Sequence, residues 1–361
     1  MSSDATVRDT VRPTMGSRAA AIWGAANRYA VVLLLLIGIF LFFSLTQPDF
    51  FSRANIENLL TGSSILFVVS IGMTFVVLTG GIDLSVGSLL ALSGIILSEL
   101  FNDVGLPAPL AVVGTCLAAA FLGGAVNGVL IGRLGLSFFV VTLGTLSIYR
   151  GVVNIWSNTE TTYISSSFID GIAFSKFLGI AYPIWIMIAT YVVALVVLRW
   201  TYFGRDVYAV GGNITAARLS GINVARTLIM VYAIVGLCAG IGGVIQAARL
   251  GAASPLVGES TPLDAAAAVL LGGTSFLGGV GGVTGTAVGV LFIGTLQNGL
   301  SISGVSSFWQ QVVTGVILIL AISIDLLQQQ GSGGPLRRLR GFGHGPTSSS
   351  EPTVEEGARS D

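Results

Sequence analysis

Three carboxylates in this chain stand beside long apolar stretches. Asp83 follows Thr79-Gly80-Gly81-Ile82 and precedes Leu84-Ser85, Asp264 leads the run Ala265–Ala268, and Asp325 closes Ile322-Ser323-Ile324. A carboxylate at membrane depth is costly, so it faces water, carries a coupling ion or accepts hydrogen bonds from a helix start. Paired glycines recur next to two of them: Gly80-Gly81, then Gly272-Gly273 and Gly278-Gly279. The second group superficially suggests a phosphate loop. That loop requires a Lys-Ser or Lys-Thr after its glycines, and the only lysine of the chain is Lys176. The chain is therefore not its own P-loop ATPase. The segment Gly272–Gly282 reads instead as close helix packing and a tight re-entrant turn.

Nothing in the sequence assembles into a catalytic or metal centre. The single histidine, His344, lies in a polar tail, and Cys116 and Cys238 sit inside apolar runs. No zinc site, disulfide pair or Ser-His-Asp triad can be built from them. No cofactor and no metal are expected on this chain, and an intramembrane enzyme is disfavoured.

The elements that must position these residues are membrane helices. Apolar residues make up 53% of the 361, and charged residues only 9%, against roughly 25% in a soluble domain. So little charge cannot cover a water-soluble surface, and the main solvent must be lipid. The 49 glycines suit close approach of membrane helices. A formal net charge of zero gives no reason to expect a nucleic-acid partner. A spanning helix needs roughly 20 mostly apolar residues. On that basis the expected fold is an all-α membrane protein of about ten transmembrane helices. They fall near 29–46, 63–80, 85–101, 109–131, 138–155, 181–198, 227–248, 263–277, 284–303 and 309–328. The first is read as a retained span, because Thr46-Gln47-Pro48-Asp49 follows it rather than a small-residue cleavage site. Residues 1–28 and 329–361 are rich in Ser, Gly, Pro and charge and are expected to be a disordered leader and tail.

Cationic loops lie on the inside. With the N-terminus cytoplasmic, Arg8, Arg12, Arg18 and Arg28 are inside, then Arg133, then Arg199, Arg205, Arg218 and Arg226. The tail with Arg337, Arg338 and Arg340 is inside too, so both termini are cytoplasmic. The opposite loops hold Asp49, Glu57, Asp103, Glu160, Asp170 and Glu259 with few cations.

Two segments carry the functional reading. In the first, Gly80, Gly81, Asp83 and Ser85 break a helix inside or near the membrane, where broken backbone is tolerated only within protein or beside water. Capping the next helix at Leu84–Val86 is the favoured role of Asp83. Lining a transport path or its gate is the other, and the two can coexist. Asp264, Gly272 and Gly273 share that second possibility, and Asp264 can also cap its own span from outside. The second segment is the inner loop of about 199–226. Asn213 is a good N-cap and Gly221 sits at a helix stop, which leaves a helix of about two turns between them. It is too short to be stable alone and suits docking into a groove on a partner. As a plain connector, the loop would only fix topology with its arginines. Arg150, near the outer end of the fifth span, meets a partner or lines the outer vestibule, or else snorkels to the interface.

In order along the chain, Gly72–Ser88, Asn127-Gly128, Thr142-Leu143-Gly144-Thr145 with Tyr149-Arg150-Gly151, Gly204–Asn223, Leu263–Gly279, Asn298-Gly299 and Ile322–Asp325 resemble the ribose-type permease family of ABC importers. The resemblance covers nearly everything from about 30 to 328. It implies a type II ABC importer-like permease in the bacterial inner (plasma) membrane. It also implies a cytoplasmic coupling helix near Asn213–Gly221, with Gly204, Arg205, Gly211, Gly212, Ala216, Ala217 and Arg218 in the coupling loop. The partners it implies are an ATP-binding cassette ATPase that binds the ATP and magnesium, a periplasmic or extracellular sugar-binding protein, a second permease copy and membrane lipid. The competing class is an ion-coupled secondary transporter of a small polar solute, with Asp83, Asp264 and Asp325 as coupling groups.

Overall fold

The computed structural model describes residues 15–331, with side chains from 30 to 324. Its α-helices are α1 (Met15–Thr46), α2 (Arg53–Leu78), α3 (Val86–Ser98), α4 (Ala108–Phe121), α5 (Val129–Gly132), α6 (Phe138–Trp156) and α7 (Ser167–Phe174). They continue as α8 (Tyr182–Trp200), α9 (Tyr202–Gly212), α10 (Ile214–Leu219), α11 (Val224–Leu250), α12 (Thr261–Leu271), α13 (Val283–Ile302) and α14 (Ser307–Gly331). A π-helical segment, Glu99–Asp103, prolongs α3, and another, Leu122–Gly128, joins α4 to α5.

Among the described residues, eight helical units are long and apolar enough to cross a membrane: 53–78, 86–103, 108–132, 138–156, 182–200, 224–250, 283–302 and 307–324. The remaining two expected spans coincide with shorter apolar helices, Ala30–Thr46 and Thr261–Leu271. The second expected span begins ten residues early, at Arg53, where the Ser52 hydroxyl accepts a hydrogen bond from the Asn55 amide at 3.2 Å. Polar Asn55, Glu57 and Asn58 hide that first stretch of helix from a hydropathy scan. The bounds of α1 and α14 reach into the segments expected to be leader and tail. The rest of those segments, and the side chain of Asp325, lie outside the described residues.

Helix α11 forms the centre of the bundle, packed against α2, α3 and α4. Its inward face is small or β-branched, with Val231, Val235, Ala239 and Ala248 buried beside Tyr232. Small residues permit such close approach where no hydrophobic drive between helices exists in lipid. Outward faces are apolar instead: Leu34, Val140, Ile148, Val193 and Ile319 are all exposed, as lipid contact requires. A buried hydroxyl pair also ties helices together, with Thr74 Oγ1 and Thr286 Oγ1 2.7 Å apart between α2 and α13.

Two ends of the bundle follow from chain direction. One carries α9, α10 and the turns at 79–85 and 272–282. The other carries the segment 157–181 with α7, the start of the loop 251–260, which runs back into the bundle until Gly258 meets Gly87 of α3, and two short antiparallel ladders, 162–163 with 252–253 and 176–177 with 180–181. An ion pair crosses that second end, Lys176 Nζ to Glu57 at 2.5 Å.

Candidate functional site

The break between α2 and α3 is organised around Asp83. Helix α2 stops when Thr79, Gly80 and Gly81 turn their amides back to the carbonyls of Val76 and Val77, with Gly80 at φ +80°. Asp83 is fully buried. Its Oδ1 accepts from the Ser85 amide at 2.9 Å and from the Ser85 hydroxyl at 2.6 Å. Asn127 of the π-helical segment donates to Ser85 Oγ at 2.9 Å and to Asp83 Oδ2 at 3.4 Å. Asp83 thus does not itself cap α3, the role expected from the sequence; it sits two positions before the N-cap residue, Ser85, and holds that residue in place. The partner Asn127 lies 44 positions away in sequence, so no local pattern announces it.

The three glycine-bearing motifs then meet at one place. The Leu78 carbonyl, at the end of α2, accepts from the Gly279 amide at 2.9 Å. Gly211, in the last turn of α9, lies against that same carbonyl, and a Cβ there would overlap it. Gly278, at φ +86°, lies against Gly80 N and Gly211 O. Tyr208 of α9 donates to the Gly281 carbonyl at 2.9 Å, and the Thr274 hydroxyl accepts from Gly282 N at 3.3 Å. One backbone junction therefore joins the α2–α3 break, the end of α9 and the α12–α13 turn. Gly272 is the C-cap residue of α12, and Gly273 follows at φ +83°.

Helix α10 hangs from this junction. Asn213 caps it, its Oδ1 accepting from Thr215 N at 3.0 Å and Ala216 N at 2.9 Å. Gly221 closes it at φ +84°. Ala217 faces inward and packs with Val210, Val224 and Leu228. The remaining face is open: Ile214, Ala216, Arg218 and Leu219 are exposed, as are Gly212 and Asn213. Arg205 stacks over the Tyr202 ring at 4.1 Å, and Gly204 N is capped by the Thr201 hydroxyl at 3.1 Å. Helix α9 is absent from the sequence reading. Its helicity comes from burying Gly204, Val207 and Val210 against the bundle.

At the opposite end, Asp264 lies in the first turn of α12 and accepts from the Ser260 hydroxyl at 2.9 Å. Gln297 of α13 also bonds to it. Arg150 donates to the carbonyls of Pro255 and, at 3.1 Å, Val257. Both of its contacts hold the loop 251–260. Among the described residues no group of three His, Cys, Asp or Glu could hold a metal ion.

Apolar spans, a helix break sealed by polar side chains, and an exposed capped helix tied to that break define a polytopic membrane transport subunit. Residues 55–322 match the model of the family described as branched-chain amino acid transport system / permease component, and the chain belongs to this permease family. It is 40% identical over 312 residues to ribose import permease protein RbsC of Escherichia coli K12, which covers 85% of this chain and 95% of that protein. The Bacillus subtilis protein of that name is 42% identical over 288 residues, covering 78% and 88% of the two chains. The L-arabinose ABC transporter permease protein AraH of Azospirillum brasilense is 38% identical over 304 residues, covering 84% and 89%. No solved structure matches the chain.

Proposed function

We propose that this chain is the membrane-spanning permease subunit of an ATP-binding cassette importer that carries a monosaccharide across the bacterial inner (plasma) membrane. The names of similar proteins point to a sugar, because ribose, L-arabinose, D-allose and galactose permeases all match it over most of its length. The family description alone, with its branched-chain amino acids, is broader than these relatives.

The observation that carries the reading is the contact of Gly211 with the Leu78 carbonyl. A push on α10 passes through α9 to the α2–α3 break and to the α12–α13 turn without any flexible side chain in between. Packed junctions of this kind switch between discrete arrangements rather than deform smoothly. In this reading α1 and α12 complete ten crossings, and both termini and α9–α10 face the cytoplasm. The exposed face of α10 docks an ATPase subunit, which binds the ATP and magnesium. A sugar-binding protein approaches the opposite end, and a second permease copy completes the path within the lipid. Gly80, Gly81, Asp83, Ser85, Asp264, Gly272 and Gly273 shape the gates of that path.

The test is uptake of labelled ribose, arabinose, allose and galactose into proteoliposomes. These carry the permease with its ATPase and sugar-binding protein partners. Uptake is expected only with ATP and all components. Uphill uptake by the permease alone on a proton or sodium gradient would overturn the reading in favour of a secondary transporter.

A further inference from the structure

A cavity of about 280 Å³ opens between α2, α13, α14 and the end of α11, at the end of the bundle away from α9 and α10. It has nearly the smallest size usual for ligand pockets, about 300 Å³. Its polar lining comes from Asn58, Ser63, Arg249, Gln297, Ser301 and Gln310. Buried Ser63 and Gly294 lie at its floor, and exposed Asn58 and Ser301 at its mouth.

The framework of this cavity is braced from behind. Gln297 is tied to Asp264. Asn298, also on the wall, forms a reciprocal amide pair with Asn55, both bonds at 3.0 Å. Gln310 Nε2 is committed to the Val305 carbonyl at 3.0 Å, which leaves its Oε1 to the cavity. Among the described residues, Asn58, Ser63 and Ser301 find no side-chain hydrogen-bond partner, and Arg249 makes one long bond, 3.5 Å to the Thr61 carbonyl. The open valences are thus both donors and acceptors, and the lining contains no carboxylate. Hydroxyls of a neutral polyol satisfy both kinds. A phosphodiester accepts only, and would leave the amide and hydroxyl acceptors unmatched. The lining also has no aromatic ring for a sugar face to stack on, so contact is polar and weak, as a solute in transit requires.

We propose that this cavity is an outer transit site for the sugar cargo, in which Asn58, Ser63, Arg249 and Gln310 hold its hydroxyls before it moves inward. The proposal rests on the function given above and adds a place for the substrate.

The full complex with its ATPase, in nanodiscs, tests it. Ser301→Cys, at the exposed mouth and outside the four residues that hold the sugar, is combined with Cys116→Ser, since Cys238 is buried. The probe is whichever of ribose, arabinose, allose and galactose the complex imports, with L-leucine as control. At about ten times its half-protecting concentration, the imported sugar is expected to slow thiol labelling of this cysteine about tenfold, and leucine not at all. A second variant, Gly62→Leu, fills the cavity where only the end of the Arg249 side chain lies near, at 3.6 Å. It is expected to cut import about tenfold while ATP hydrolysis continues. Unprotected labelling in a complex that still imports the sugar overturns the transit site and leaves the importer reading intact. Labelling slowed by phosphatidylglycerol relative to phosphatidylcholine nanodiscs, with no effect of sugar, makes the cavity a lipid headgroup site and also overturns it. A complex that imports none of the four sugars removes the functional reading and the transit site together.

Discussion

Gly211 rests directly on the carbonyl oxygen of Leu78, with no space between them for a side chain. That oxygen also accepts the Gly279 amide at 2.9 Å. The end of α2, the end of α9 and the turn before α13 therefore meet at a single carbonyl oxygen. Motion of any one of them is felt by the other two, because protein interiors are packed too densely to absorb it.

Gly211→Ala is expected to separate α9 from α2. Overpacking of this kind costs about 1–3 kcal/mol. ATP-driven uptake should fall about tenfold, with ATPase hydrolysis running uncoupled from transport. Gly212 is the control, since a Cβ there meets nothing within 4 Å. Gly212→Ala should transport normally, whereas Gly212→Trp, on the open face, should reduce co-purification of the ATPase. Equal behaviour of the two alanine variants would remove the junction from the coupling path.

Asn213→Ala removes both capping bonds of α10. A lost N-cap costs about 1 kcal/mol, which is severe for a helix of six residues that cannot persist alone. Uptake is expected to drop several-fold, and Asn213→Asp or Asn213→Ser to restore it, because each keeps an acceptor oxygen. Hydrogen exchange across 214–219 reads the helix itself.

How much of this was legible depended on range. Hydropathy located the apolar helices in order, because spanning length and composition are local properties. Asn213 and Gly221 marked the ends of α10 because caps are local too. Helix α9 was not legible. Its glycines at 204, 211 and 212 argue against helix, and only burial of Val207 and Val210 on the bundle overrides them. The π-helical turn that brings Asn127 to Asp83 has no local signal, nor does the meeting of Leu78, Gly211 and Gly279. The cavity of Asn58 and Gln310 joins residues that a hydropathy scan records as loop and helix start. Ala217, expected in the coupling loop, anchors α10 through its side chain to Val224 and Leu228, a contact with no local signal.

Asp83 separates the two transport classes. Asp83→Ala leaves the Ser85 amide and hydroxyl without their acceptor in a buried site, at about 1–3 kcal/mol, while the Asn127 amide keeps Ser85 Oγ. Thermal unfolding of the complex in detergent should occur at a lower temperature. Asp83→Asn keeps Oδ1 as an acceptor for Ser85 and removes the ionisable group. ATP-driven uptake should survive in the Asn variant within about threefold. Complete loss of uptake in Asp83→Asn at unchanged stability would identify a proton- or sodium-coupling carboxylate.

Arg150 is the last residue whose role the geometry divides. Its guanidinium donates to the Pro255 and Val257 carbonyls, so it fixes the loop 251–260 from α6. A hydrogen bond from a charged donor contributes about 1.5–3 kcal/mol when both groups are shielded, and less here, where the arginine is only partly buried. Arg150→Ala is expected to raise hydrogen exchange at 255–259 and to weaken uptake that depends on the binding protein, while co-purification of the ATPase stays unchanged. Arg150→Lys keeps the charge but loses the planar fork that reaches two carbonyls at once, and should show most of the exchange defect. Were the arginine instead a direct contact for the binding protein, lysine would restore uptake and the loop would exchange as in the parent. Exchange at 255–259 measured beside uptake distinguishes a strut within the permease from a landing point on its surface.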